Sequence, residues 1–324
     1  MNIHFALLAA LPVSLALSAT LPVQAADFPT RPVRMLVPFA PGGSADLVGR
    51  IVAADASPRL GQTIIVENRP GADGNLAANQ VAKAAADGYT LLLGTSTLSI
   101  VRTLTPDLPY DVQKDLAPVI KIGSGAFVIA VTSASGPKTI QELIATVKAR
   151  PAQLNFGTAA SGSSTHLAGE LFNIRAAIAA QHISYKGEPQ ALTGLIGNEV
   201  SYVVASYGAT AGFLQAGRLR ALAVTSPLRM KALPDVPSVA EAGLPGFDAG
   251  YWNGIFATGK TPTDIVDKLY TALADASRSA PITEKLENLS LRVEATRPQA
   301  FATELAADIE KWAGVIRTAK VTVK

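Results

Sequence analysis

The feature that most narrows the fold is a series of short, nearly unbroken apolar runs. They are Val33–Val37, Thr63–Val66, Tyr89–Leu93, Phe127–Val131, Ile183–Tyr185, Val200–Val204 and Leu219–Val224. Continuous rather than alternating runs suit strands buried on both faces, as in parallel sheets. Helical patterns fill the intervals. Leu47, Val48, Ile51 and Val52 form an apolar stripe, with Arg50 and Asp55 on the other side. Thr139 with Glu142 three residues on makes a capping box ahead of Ile140, Leu143, Ile144 and Val147. Phe301, Leu305, Ile309, Trp312 and Ile316 mark a long amphipathic helix near the end. Strand and helix alternate, so the class is α/β.

A chain of 324 residues points to two domains rather than one. With 48% apolar and 16% charged residues it has the material for a large core. The net charge of +3 is spread along the chain, with no Lys/Arg cluster interleaved with aromatics, so no nucleic-acid partner is expected. There is no cysteine, which excludes disulfides, thiolate catalysis and Cys-ligated zinc. The opening "MNIHFALLAALPVSLALSATLPVQA" reads as a signal peptide over residues 1–25, cleaved near Ala25. Its n-region is atypical in lacking Lys and Arg. Pro12 and Pro22 argue against a membrane span, which needs about 20 uninterrupted apolar residues. Release into a periplasm-like compartment is the expectation.

The turns between strands and helices carry the chemistry. "APGGS" (40–44), "GTST" (94–97), "TAASGSST" (158–165) and "YKGEP" (185–189) are small and flexible. In open sheets such loops sit at the carboxyl ends of strands, where ligands bind, and two groups of them can face each other across a cleft. "PGGS" lets backbone approach a ligand, and the helix start beyond it favours negative charge. Its spacing matches neither nucleotide-phosphate motif, and a tight turn that binds nothing fits the same residues. "TAASGSSTH" offers Ser161, Ser163, Ser164 and Thr165 as donors, although helix capping would use only one. A hydrolase would need one of these serines as nucleophile with His166 as base, but G-x-S-x-G is missing. Beyond the leader only His166 and His182 occur, and no acidic cluster has metal-ligand spacing, so neither metal nor cofactor is expected. "DLPYD" (107–111) reads as a loop with exposed carboxylates. Trp252 is expected to pack near the domain junction, and Lys186 either meets an anionic ligand or forms a surface ion pair.

Taken together, "FPTRPVRMLVPFAPGGSADLVGRIVA", "LGQTIIVENRPGADGNLAANQVAKAAADGYTLLLGT", "LPYDVQKDLAPV", "LNFGTAASGSSTHLAGELF", "YKGEPQALTGLIGNEV" and "LRALAVTSPLRMKALPDVPSVAEAGLPGF" are similar to Bug-type receptors, the solute-binding proteins of tripartite tricarboxylate transporters. The likeness runs over essentially the whole mature chain. It implies a two-domain type II periplasmic binding protein (a Venus flytrap) with a mainly parallel sheet in each domain and no enzymatic activity. Its ligand would be a small carboxylate, such as a dicarboxylate or an aromatic acid, and its partners would be membrane permease subunits. A sensor feeding a membrane signalling protein is the alternative. A cleft-closing receptor needs no second subunit, so a monomer is expected.

The implied ligand residues are Phe39, Ala40, Pro41, Gly42, Gly43, Ser44, Thr95, Ser96 and Thr97 on one wall. Ser161, Gly162, Ser163, Ser164, His166, Ser206 and Tyr207 form the other. Asp46, Arg102, Lys186 and Ala205 are secondary candidates. Asp46 can instead serve its own helix N-terminus. Many relatives carry Asp-Asn where this chain has Ala205-Ser206, which disfavours an amino-acid ligand and favours a plain carboxylate. Arg102 stands where relatives show Asn or Pro, and would hold a distal carboxylate if it faced the cleft. The domains are expected at 27–122 with 228–324, and at 123–227.

Overall fold

The computed structural model describes residues 28–71, 74–151 and 153–322. The expected signal peptide and its cleavage point lie outside the described residues. All seven apolar runs become strands: β1 (Val33–Val37), β2 (Ile64–Asn68), β3 (Thr90–Thr95), β5 (Phe127–Thr132), β7 (Gln181–Ser184), β8 (Tyr202–Ser206) and β9 (Leu219–Val224). Four more were not marked by such runs: β4 (Leu116–Gly125), β6 (Asn155–Thr158), β10 (Tyr251–Thr258) and β11 (Arg292–Thr296). The helices are α1 (Ser44–Leu60), α2 (Asn75–Ala82), α3 (Thr97–Leu104), α4 (Ile140–Ala149), α5 (Ser164–Ala176), α6 (Glu188–Ile196), α7 (Tyr207–Gln215), α8 (Thr263–Arg278), α9 (Ala280–Asn288) and α10 (Pro298–Ala319).

Two sheets result. One has the order β11-β4-β10-β3-β1-β2, the other β7-β6-β8-β5-β9. Both are mixed, which corrects the expectation of mainly parallel sheets. β1 pairs in parallel with β2 and β3, and β6 with β7 and β8, whereas β10, β4, β11, β5 and β9 pair antiparallel with their neighbours. The reason is how the chain crosses between sheets. A strand that leads into a helix of its own lobe ends at the edge facing the other lobe. A strand that arrives from the other lobe starts at that edge and must run the opposite way. β5 follows β4 after the single residue Ala126, and β10 re-enters the first sheet with Asn253 opposite Thr95.

In the first sheet the carboxyl ends of β1 and β3 therefore lie where β10 starts, and in the second those of β6, β7 and β8 lie where β5 starts. Those ends are where the small turns lie.

Packing ties the lobes together. On α10, Phe301, Leu305 and Ile309 join the core around Trp252 and Phe256 in the first lobe. Trp312, Val315 and Ile316, further along the same helix, join the core around Phe172 and Tyr202 in the second. The stretch between β9 and β10 also lies on the second lobe: Met230 packs with the β9 side, and Val239, Phe247 and Ala249 with the α5 side. In α1, Val48 and Val52 are fully buried, while Leu47 is 38% exposed because the buried face is set by Ala45, Val48, Val52 and Ala56.

Candidate ligand-binding site

The turns after β1 and β6 are built alike. In each, a chain reversal puts a glycine at positive φ, Gly42 at +80° and Gly162 at +76°, where a side chain would be strained. Gly43 N–H donates to the Ala40 carbonyl at 3.4 Å, and Ser163 N–H donates to the Ala160 carbonyl at 3.3 Å. Each glycine N–H then turns inward to the third residue of the helix that follows. Gly42 donates to Asp46 Oδ2 at 2.9 Å, and Gly162 donates to His166 Nδ1 at 3.0 Å. The residue before each helix is extended, Gly43 at φ −73°, ψ 163° and Ser163 at φ −69°, ψ 160°. "APGGSAD" and "ASGSSTH" are thus two copies of one device, legible once the strands are aligned.

Asp46 and His166 brace these turns from beneath. Asp46 is almost wholly buried and accepts from Arg50 Nε at 3.0 Å and Asn68 Nδ2 at 2.9 Å as well as from Gly42. Burial alone would raise its carboxyl, but the bonds from Arg50, Gly42 and Asn68 outweigh it and hold it below the usual carboxylate range. His166 is buried, stacked on His182 with ring centroids 3.6 Å apart, and its Nε2 lies 3.5 Å from Glu170 Oε1. Burial first, and His166 second, push the His182 imidazole down to about 3. His182 Nε2 meets Thr158 Oγ1 at 2.7 Å.

This arrangement forms no serine–histidine dyad. Ser163 Oγ donates to the Ala160 carbonyl and accepts from His166 N–H, while the His166 ring nitrogens face Gly162 and Glu170.

What the turns present outward is backbone. Gly43 has no side chain to cap α1, so the first-turn N–H groups of that helix have no side-chain acceptor among the described residues. At α5, Ser163 caps only His166 N–H, leaving Ser164 and Thr165. Two helix N-termini with open N–H groups are an anion-binding geometry. The α5 start meets the first lobe at α3: Ser96 Oγ, at the N-cap of α3, lies 3.3 Å from Ser164 Oγ. Ser96 N–H is anchored on the Trp252 carbonyl, and Thr95 and Thr97 join their hydroxyls at 2.8 Å.

The structure brings Ala40, Pro41, Gly42, Gly43 and Ser44 to an exposed turn, with Phe39 half-buried behind and its carbonyl held by Asn68. Ser161, Gly162, Ser163 and Ser164 form the opposite turn, and Ser161 N–H is tied to Ser184 Oγ. Tyr207 is half-buried beside the β8 core, and Ala205 lies inside that core at 1% exposure. Lys186 is exposed. Arg102 donates to Gln113 at 3.0 Å and lies 4.0 Å from Asp111, on the loop before β4. Ser206 directs both its N–H and its hydroxyl at Glu188, a residue not singled out in the sequence. Its one signal there is an acid placed directly after Gly187 at a helix start. Asn68, which joins the first turn to β2, left no signal at all.

A cavity of about 770 Å³ opens beside the crossing segments, lined by residues such as Ser124, Leu228, Tyr251 and Leu291. The two glycine turns do not line it. Its charges are paired internally, Lys121 with Glu294 and Glu304, Lys231 with Glu287 and Lys311 with Asp308. That leaves little free charge to select a ligand, so the helix N-termini, not this volume, define the candidate site.

Residues 48–321 match the tripartite tricarboxylate transporter family receptor. The chain is 36% identical to the protein BugT of Bordetella pertussis over 321 residues, covering 98% of each chain. Among solved structures, R. palustris Rpa4515 with adipate superposes with a TM-score of 0.77 at 35% identity, covering 91% of this chain and 99% of that one. MatC from Rhodopseudomonas palustris with bound malate gives 0.73 at 33% identity, covering 89% and 100%. The chain belongs to the receptor family of the tripartite tricarboxylate transporters.

Proposed function

We propose that this protein is an exported receptor that closes on a small organic acid and hands it to the membrane permease subunits of a tripartite carboxylate transporter. The observation that supports this reading is the matched pair of glycine turns, each opening a helix whose first N–H groups lack side-chain acceptors, with the start of α5 in contact with the first lobe at Ser96. Peptide dipoles and hydroxyls can hold a carboxylate there without a buried arginine, with water bridging where contacts are long. The relatives bound to adipate and malate, both carboxylates, support the same ligand class. The committed ring nitrogens of His166 favour capture over turnover. In place of the expected 27–122 with 228–324 and 123–227, one lobe comprises about 28–125 with 251–311 and the other about 127–249 with the end of α10, because Met230, Val239, Phe247, Ala249 and Trp312 pack on the second lobe's cores; the protein acts as a monomer. Closure proceeds about Ala126 and the 225–250 segment. A micromolar ligand requires about −8 kcal/mol, within reach of one well-held carboxylate and a small buried apolar body.

Melting temperature measured against a panel of mono-, di- and tricarboxylates, aromatic acids, sugars and amines tests this, because a ligand of the native state alone raises it. Carboxylates are expected to raise it. Stabilisation by sugars or simple amines with none by carboxylates would contradict the reading.

A further inference from the structure

Three helices start on the second lobe's face of the gap, and one of them already has an anion. Ser206 caps α7, with its hydroxyl accepting from Ala209 N–H at 3.3 Å. The Glu188 carboxylate, from the first residue of α6, accepts from Ser206 N–H at 2.9 Å and from the Ser206 hydroxyl. This helix end is therefore filled by the protein itself, whereas those of α1 and α5 keep open N–H groups.

Glu188 also retains capacity. A carboxylate has about four acceptor positions, and two donors are assigned to it. It is half-buried, and among the described residues no Lys or Arg lies within ion-pair distance. Lys186, two residues earlier, is exposed and forms no such pair. On the opposite lobe Tyr251 packs on Phe127, ring centroids 5.3 Å apart, and Phe127 is the residue registered opposite Ser206. The Tyr251 phenol is pushed up to about 12, chiefly by burial and further by the Glu188 charge. A ligand gripped at α1 and α5 and extending toward β8 thus meets a fixed negative charge with unused acceptor positions.

The geometry points to Glu188 as a specificity-determining residue. It selects acids whose end remote from the gripped carboxylate carries a hydrogen-bond donor, a hydroxyl or an ammonium, and disfavours acids with a second carboxylate there. This rests on the receptor reading above and deepens it. It also revises the inference from Ala205: the acid missing from that position is supplied by the neighbouring helix.

Two probe series test it by titration calorimetry. One is hexanoate, 6-hydroxyhexanoate, 6-aminohexanoate and adipate. The other is 4-(hydroxymethyl)benzoate, 4-(aminomethyl)benzoate and terephthalate. Each series holds one carboxylate constant and varies the far end. In the series that fits the gap, the wild type is expected to bind the donor-bearing acids at least about tenfold more tightly than the dicarboxylate, since like charges brought together in a partly desolvated site are strongly disfavoured. Glu188→Gln is expected to improve dicarboxylate binding about tenfold and to weaken the ammonium acid. A wild type that binds the dicarboxylate as well as or better than the donor-bearing acids overturns the assignment, as does a ratio unchanged in Glu188→Gln; either result leaves the receptor reading standing. If no acid of either series binds while carboxylates outside them do, the assignment falls alone; if no carboxylate binds at all, both fall. The wild-type ratio needs no variant, so it decides the matter even where Glu188→Gln does not fold.

Discussion

At the scale of single residues, the stacked histidines make the most direct prediction. His182 is neutral in the native state, with a folded pKa of about 3 against an ordinary 6.5. As pH falls below 6.5 the unfolded chain takes up a proton that the folded chain refuses, so stability declines from there toward pH 3. The neighbours are Thr158, the His166 ring and, beyond it, Glu170. His182→Gln is expected to cost stability at pH 7.5 through lost packing, and the gap to wild type should narrow by pH 4.5 in denaturant titrations. A gap independent of pH would contradict the account. Much of the candidate site at this scale was readable: "PGGS" and "TAASGSST" are the turns from which we propose it is built. What was not readable is which side chain braces each turn. Asp46 and His166 do the same task with different chemistry, and Glu188 and Asn68 gain their roles only through strands distant in sequence.

At the scale of elements, legibility followed composition. β1 and β9 were marked by their own apolar runs, but β10 was hidden because Asn253 and Gly254 break its middle. The glycine is there because Phe301 crosses the strand. A Cβ on Gly254 would lie 2.5 Å from the Phe301 ring and 3.0 Å from the Ile120 carbonyl. Gly254→Ala is therefore expected to lose about 1–3 kcal/mol of stability through overpacking, measured by chemical denaturation; a loss within error of zero would show that the ring can move aside. β4 was obscured by Pro118 and by Lys121, whose charge is held between Glu294 at 2.6 Å and Glu304 at 2.7 Å. β11, "RVEAT", carries alternating charge at the sheet edge, and β6 is only four residues long. None of these strands is apolar for its own sake; each depends on what lies against it.

At the scale of the molecule, two lobes were expected from length and from the grouping of turns, and two sheets are found. The mixed strand directions were not foreseeable from local pattern, because they follow from where the chain crosses between lobes. The shared helix was hidden for a similar reason: the stripe from Phe301 to Ile316 is continuous, yet its first half packs on one core and its second half on the other. The crossing strands and this helix tie the two lobes together, and in the function we propose the open N–H groups of α1 and α5 address a common space between them.

Proline at the first position of those helices tests that claim most directly. Gly43 and Ser163 are already extended, as a residue before proline must be, and proline is well tolerated at a helix start. Ser44→Pro and Ser164→Pro each delete one backbone donor without changing net charge, and comparison with Ser44→Ala and Ser164→Ala removes the effect of the hydroxyl lost with it. A hydrogen bond to a charged group is worth roughly 1.5–3 kcal/mol. Each variant should therefore keep the melting temperature of the unliganded protein while losing about tenfold or more in affinity for the best-binding acid of the panel. Folded variants that bind that acid as tightly as wild type would contradict the account.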